Sequence, residues 1–193
     1  MSFLSELLKQ KDKLKETDTI VTKVNGQRYV QRGSDEKNTE NLTSCYGFVV
    51  DTKPDNVPVL VIDNLYIGSQ DCTTDFVIDA NNIKHVLSLG INVSVNVNHK
   101  YIDCLDLPET DIKKVLRQGI PFIKQAIDNK DNILIHCNAG VSRTSMMAIG
   151  YLMHCQNMEF EDAYKLVKEK RPVIQPNAGF KRQLMALKPG QVI

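Results

Sequence analysis

The stretch that most constrains this chain is Ile133-Leu134-Ile135-His136-Cys137-Asn138-Ala139-Gly140-Val141-Ser142-Arg143-Thr144. It reads as a buried strand passing through a small loop into a helix. Ile133 to Ile135 is a short apolar run behind Asp131-Asn132, and Thr144 to Cys155 is apolar at helical spacing over a helix-sized length. The loop between them is then a helix N-terminus, whose backbone N–H groups lack intrahelical partners and carry partial positive charge. The amides of Asn138, Ala139, Gly140, Val141, Ser142 and Arg143 can converge there on an anion. Gly140 supplies the positive-φ backbone that a loop with inward-pointing amides needs.

Two side chains turn this anion cradle into a reaction centre. Cys137 lies at its floor, where the helix terminus and the Arg143 guanidinium both favour the thiolate over the free thiol, whose pKa is about 8.5. Arg143 closes the loop with a planar fork that matches two phosphoryl oxygens. Thr144 places a hydroxyl where it can donate to the Cys137 sulfur, as thiolate or as leaving group. His136, just before the cradle, is read as holding the loop through backbone hydrogen bonds rather than as a base, since the nucleophile is already ionised. The pattern His136-Cys137-x5-Arg143-Thr144 resembles the signature of cysteine-dependent protein tyrosine phosphatases. The competing reading, a buried inert cysteine, gives no reason for a glycine loop closed by arginine.

Composition narrows the setting. The 193 residues are 42% apolar and 24% charged, ordinary for one globular domain with an extension, and a formal charge of +1 argues against nucleic acid as a bulk partner. No apolar run reaches membrane-helix length, and Met1-Ser2-Phe3-Leu4 has neither a signal-peptide core nor a myristoylation glycine. Five cysteines at 45, 72, 104, 137 and 155 show no zinc-type C-x-x-C pairing and fit a reducing compartment. The expectation is a cytoplasmic protein with no membrane contact, no metal and no cofactor.

In chain order, Phe3, Leu4, Leu7, Leu8 and Leu14 form an apolar stripe on a lysine-rich helix over Ser2 to Lys15. Thr19 to Val24 and Arg28 to Arg32 flank Asn25-Gly26, a hairpin signal, and Gly33 to Asn41 reads as polar and flexible. Residues 1–56 are assigned to an N-terminal extension and 57–190 to the catalytic domain. In the latter, strands are predicted at Pro58 to Ile62, Leu65 to Gly68, His85 to Leu89 and Tyr101 to Leu107. Helices are predicted over Asp71 to Asn81, Asp111 to Asn129, Glu159 to Lys170 and Asn177 to Leu187. Strands alternating with helices make an α/β fold, a mostly parallel central sheet flanked by helices.

The resemblance extends past the signature. Asn64-Leu65-Tyr66-Ile67-Gly68-Ser69, Arg171-Pro172 and Pro176-Asn177-x-Gly179-Phe180 make the segment from about Leu60 to Leu187 similar to a dual-specificity phosphatase domain of the atypical group. The resemblance implies a phosphatase-type fold and hydrolysis of phosphotyrosine and phosphoserine or phosphothreonine in proteins. It also implies phosphorylated proteins as partners, protein kinases of a MAP kinase pathway among the candidates.

Such an enzyme needs a general acid, and Asp103, Asp106, Glu109 and Asp111 are available. In the family the acid lies on the loop about five residues before the long helix, which is the position of Asp106. Asp103, within the predicted strand, is the runner-up, and Asp111 reads equally well as a helix N-cap. Asn177 is similar to a family residue that supports the cradle and also fits an N-cap. Cys104, on the strand leading to Asp106, is a core residue or a partner for oxidised Cys137. Two rivals remain: a pseudophosphatase that binds phosphoproteins without turnover, and an enzyme acting on lipids or RNA ends. The latter would call for extra basic side chains where this loop has Asn138, Ala139, Val141 and Ser142. Selectivity beyond a shallow site has to come from elsewhere, and Lys9, Lys11, Lys13 and Lys15 offer a docking surface for an acidic kinase face.

Overall fold

A computed structural model describes residues 18–22, 28–32, 39–42 and 55–190. The chain divides into two compact units, Met1–Ser44 and Cys45–Ile193. The first contains β1 (Asp18–Thr22), β2 (Arg28–Arg32) and β3 (Thr39–Leu42), antiparallel in that order. Ile20 faces Val30, and Val30 faces Glu40. The predicted hairpin strands are present, and Thr39–Leu42, which begins within the Gly33 to Asn41 stretch read as polar and flexible, is a third strand. Its ladder is made by backbone groups, which carry no sequence pattern. The helix expected over Ser2 to Lys15, with its lysines, and the Asn25-Gly26 turn lie outside the described residues.

The second unit is built on a five-stranded sheet of order β4-β5-β8-β6-β7. Its strands are β4 (Val59–Ile62), β5 (Leu65–Gly68), β6 (Ile83–Leu89), β7 (Asn98–Ile102) and β8 (Asn132–His136). Only β4 and β5 pair antiparallel; β5, β8, β6 and β7 are parallel. The sheet is therefore mostly parallel, with β8 at its centre and buried on both faces, as its unbroken apolar run requires.

Among the described residues five α-helices accompany it: α1 (Asp75–Ala80), α2 (Ile112–Asp128), α3 (Arg143–Cys155), α4 (Phe160–Lys170) and α5 (Ala178–Met185). Alternation along the strands separates two cores. Leu87, Leu89, Ile133 and Ile135 join Leu116, Ile123, Met147, Leu152, Val167 and Phe180 from α2 to α5. Val86 and Leu134, on the other face, join Val77 and Ile78 of α1, with Val93, Val95 and Val97 packed alongside. α3 is buried almost all round, Thr144 to Met153 without interruption, so it forms the middle of the helical layer.

Two predicted elements are corrected. The helix expected over Asp71 to Asn81 is split into a 3-10 turn, Gln70–Thr73, capped by Ser69, and α1; the extended Thr74 separates them. The strand expected over Tyr101 to Leu107 is Asn98–Ile102 instead. Its partner β6 ends at Leu89, where Gly90 turns with φ 70° and its N–H closes on the Ile102 carbonyl. Leu105 to Leu107 is thus a loop.

Candidate active site

β8 delivers His136 and Cys137 to the C-terminal end of the sheet, and α3 begins at Arg143, so the five residues between Cys137 and the helix form a closed loop. The direction of its peptide groups is set from outside. The Cys137 carbonyl faces His136 Nδ1 at 3.3 Å, and the Asn138 carbonyl accepts from the Gln70 N–H at 2.9 Å. Those of Ala139 and Gly140 accept from Arg171 Nη2 at 3.2 Å and Nε at 3.0 Å. The Val141 carbonyl accepts from the Gln175 N–H at 3.0 Å and the Ser145 hydroxyl at 2.5 Å, and the Ser142 carbonyl from the Met146 N–H at 2.9 Å. Every carbonyl from Cys137 to Ser142 is thereby held by a neighbour. The amides of residues 138–143 donate to no protein group among the described residues. Gly140 adopts φ 64°, and a Cβ there would lie 2.5 Å from the Gly68 carbonyl oxygen. Both the turn and the close approach to β5 require glycine.

Arg171, which holds two of those carbonyls, is 5% exposed and pairs with the Asp55 carboxylate. It is the main organiser that sequence reasoning missed. The only local sign was the Arg171-Pro172 dipeptide at the end of α4, which says nothing of a target some thirty residues earlier in the chain.

Cys137, at the start of the loop, is buried, 2% exposed. Arg143 Nη1 is anchored by the carbonyls of Leu89 at 3.2 Å and Cys104 at 3.5 Å, while its Nε is buried with no hydrogen bond. One edge of the fork is thus fixed to the scaffold and the other retains an unused buried donor. Thr144 Oγ1 is likewise buried without a hydrogen bond, to Cys137 or to any other group. Unpaired buried donors carry a desolvation cost that an anion in the loop would remove.

Asp106 is brought to the same place. Its Oδ1 accepts from the Ser142 hydroxyl at 2.6 Å and from Asn177 Nδ2 at 2.7 Å, and its Oδ2 lies 4.0 Å from Arg143 Nε. Asn177 also caps α5, its Oδ1 accepting from the Phe180 N–H at 2.9 Å. The two roles read for Asn177 therefore coexist. The loop bearing Asp106 is clamped to α5: Gln183 Nε2 donates to the Thr110 carbonyl at 2.9 Å, and a Cβ on Gly179 would fall on the Pro108 backbone. Of the other carboxylates, Asp111 caps α2 through the N–H groups of Lys113 and Lys114. Asp103, expected inside the strand, lies just past its end and is exposed, as is Glu109.

His136 is fully buried, and burial pushes its imidazole down to about 4, so the ring is neutral at physiological pH. Its Nε2 lies 2.6 Å from Ser88 Oγ. Cys104, also buried, is pushed up to about 12 by burial and stays a thiol, which makes it a slow partner for an oxidised Cys137. Among the described residues no helix is long and apolar enough to span a membrane, and no three His, Cys, Asp or Glu side chains are grouped to hold a metal.

A loop whose carbonyls are all engaged, running from a buried cysteine to an arginine with an aspartate held beside it, on this sheet, is the arrangement of a protein phosphatase of the cysteine-dependent superfamily. The chain belongs to the dual specificity phosphatase family: residues 65–189 match the model of the dual specificity phosphatase catalytic domain. It is 33% identical over 192 residues to dual specificity protein phosphatase 19 of Mus musculus, covering 94% of this chain and 87% of the relative. The crystal structure of DUSP15 is similar with TM-score 0.64 and 30% identity, over 68% of this chain and 86% of that one. A human tyrosine phosphatase-like serine/threonine/tyrosine-interacting protein is similar with TM-score 0.63 and 26% identity, over 67% and 92%. The chain is accordingly a dual-specificity protein phosphatase, a phosphoric monoester hydrolase.

Proposed function

We propose that the enzyme hydrolyses phosphotyrosine and phosphoserine or phosphothreonine in proteins through a phosphocysteine intermediate, with residues 57–190 as its catalytic domain. The observation that carries this reading is the polarity of the loop. Six successive carbonyls are engaged, the amides of residues 138–143 have no protein acceptor among the described residues, and Arg143 Nε is a buried donor without a hydrogen bond. Such donors are worth most on charge that develops during transfer.

The Cys137 thiolate attacks phosphorus, forming the S–P bond as the bond to the leaving oxygen breaks. Asp106 gives that oxygen its proton. Two donors occupy Oδ1, so Oδ2 carries the proton to be transferred. Water then attacks phosphorus and gives a proton to Asp106, and Cys137 leaves as thiolate with Thr144 donating to its sulfur. Arg143 and the amides of Asn138, Ala139, Gly140, Val141 and Ser142 hold the phosphoryl oxygens throughout. His136 acts on the loop and not on the substrate.

Turnover of p-nitrophenyl phosphate and of phosphotyrosine and phosphothreonine peptides tests this. Cys137→Ser should abolish turnover and keep phosphate affinity, whereas Arg143→Ala should lose both. Turnover in Cys137→Ser near the wild-type rate contradicts the assignment. Phosphoprotein binding without turnover, the reading favoured by likeness to a phosphatase-like interacting protein, predicts an inactive wild type.

We further propose that the enzyme works in the cytoplasm on kinases of a MAP kinase pathway. The free thiols of Cys72, Cys104, Cys137 and Cys155 support a reducing compartment. Docking through Lys9, Lys11, Lys13 and Lys15 would supply the selectivity that a small site lacks. Deleting residues 1–41 should leave kcat/KM on an aryl phosphate within about twofold and lower it on a phosphorylated kinase by roughly tenfold. Equal losses on both substrates contradict a docking role.

A further inference from the structure

The hydrogen bonds of His136 do not end at Ser88. Three neighbouring strands, β8, β6 and β7, carry His136, Ser88 and His99, and Ser88 is the register partner of His136. His136 Nε2 lies 2.6 Å from Ser88 Oγ, and the same oxygen lies 2.8 Å from His99 Nε2. The chain thus crosses the sheet from the floor of the active site to its edge strand, where His99 is half-buried.

The direction of every proton in this chain follows from its inner end. The Cys137 carbonyl only accepts, so His136 Nδ1, which faces it, carries hydrogen. Burial keeps the ring neutral, so Nε2 is bare and must receive the Ser88 hydroxyl proton. That hydroxyl has one proton and has given it, so it meets His99 with a lone pair, and His99 Nε2 must be a donor. The reversed chain would aim the bare Nδ1 of His136 at the Cys137 carbonyl. Two acceptors would then repel, and the carbonyl would lose the contact that holds it out of the loop.

We propose that His99 is a positioning residue, whose Nε2–H acts through Ser88 to select the His136 tautomer that fixes the Cys137 carbonyl. His99 donates from Nε2 whether its ring is neutral or charged, so the selection does not depend on its titration. The consequence for turnover rests on the mechanism proposed above; the chain of hydrogen bonds does not.

Nitrogen-15 NMR of the histidine rings tests it without turnover. The wild type should show His136 protonated on Nδ1 and neutral His99 protonated on Nε2. His99→Gln keeps an N–H donor and should preserve the His136 pattern, while His99→Leu should give exchange between tautomers. Alkylation of Cys137 by iodoacetamide at neutral pH should slow roughly threefold in His99→Leu and recover in His99→Gln, since reactivity follows thiolate environment. A wild type with His136 protonated on Nε2, or with neutral His99 protonated on Nδ1, overturns the proposal before any variant is made. So does a His99→Leu spectrum and alkylation rate identical to the wild type. An inactive wild type with the expected spectra would sink the proposed function and leave the relay standing.

Discussion

Asn177 joins two jobs in one amide: Nδ2 donates to Asp106 Oδ1 at 2.7 Å while Oδ1 accepts from the Phe180 N–H at 2.9 Å. The first turn of α5 thereby fixes the carboxylate beside the cradle, and the position of Asp106 depends on where that helix starts. Serine also caps helices but is too short to reach Asp106. Asn177→Ser should therefore stay within about 1 kcal/mol of wild-type stability in urea unfolding, because the cap is kept. Its kcat on an alkyl phosphate should fall roughly tenfold, with less loss on an aryl phosphate whose leaving group needs no proton. Equal loss on both substrates would mean that Asn177 supports the fold alone.

In the proposed mechanism Asp106 gives its proton to the leaving oxygen, so its loss should matter most where that oxygen is a poor leaving group. Asp106→Asn should cost roughly 10²-fold on alkyl phosphates and less on aryl phosphates with good leaving groups. Asp103→Asn should behave as wild type, since Asp103 is exposed beyond the end of β7. The reverse pattern would move the acid to Asp103.

The cradle was legible in the sequence because it is local: a strand, a loop and a helix in one stretch, with Gly140 at the turn and Arg143 at the close. Asp106 was singled out by the family resemblance, through its distance to the helix that Asp111 caps, and the structure brings it beside Ser142 and Arg143. What could not be read is what holds these pieces from a distance. Arg171 and Gln175 turn the loop carbonyls outward, Gln183 clamps the acid loop, and Ser88 meets His136 across the sheet. Each is a polar residue whose partner lies in another element, and neither periodicity nor turn chemistry reports such pairs. The early end of β7 has the same origin. Tyr101 to Leu107 alternates well enough for a strand, but the neighbour it would pair with has already turned away at Gly90.

The burial of His136 has a cost that appears with acid. The unfolded chain takes up its proton near the ordinary 6.5, whereas the folded protein resists until about 4. Between those values the unfolded state binds more protons, so stability falls as pH drops from 6.5 toward 4 and is fully retained above 6.5. A shift of that size corresponds to about 3 kcal/mol at its limit. Urea unfolding at pH 7 and pH 4 should show the wild type losing roughly 2–3 kcal/mol more than His136→Gln over this interval. Parallel losses in the two proteins would show that His136 does not differ between the folded and unfolded states.

In the proposed mechanism Cys137 carries the phosphoryl group between two steps that Asp106 serves in turn. Asp106→Asn slows the second step by removing the base, so acid quench of this variant during turnover of a good aryl phosphate should trap the intermediate. Mass spectrometry of the peptide containing Cys137 is then the direct measurement. One phosphoryl group is expected on the Cys137 sulfur, absent in Cys137→Ser. Turnover with no label on Cys137, or with the label on another residue, would contradict it.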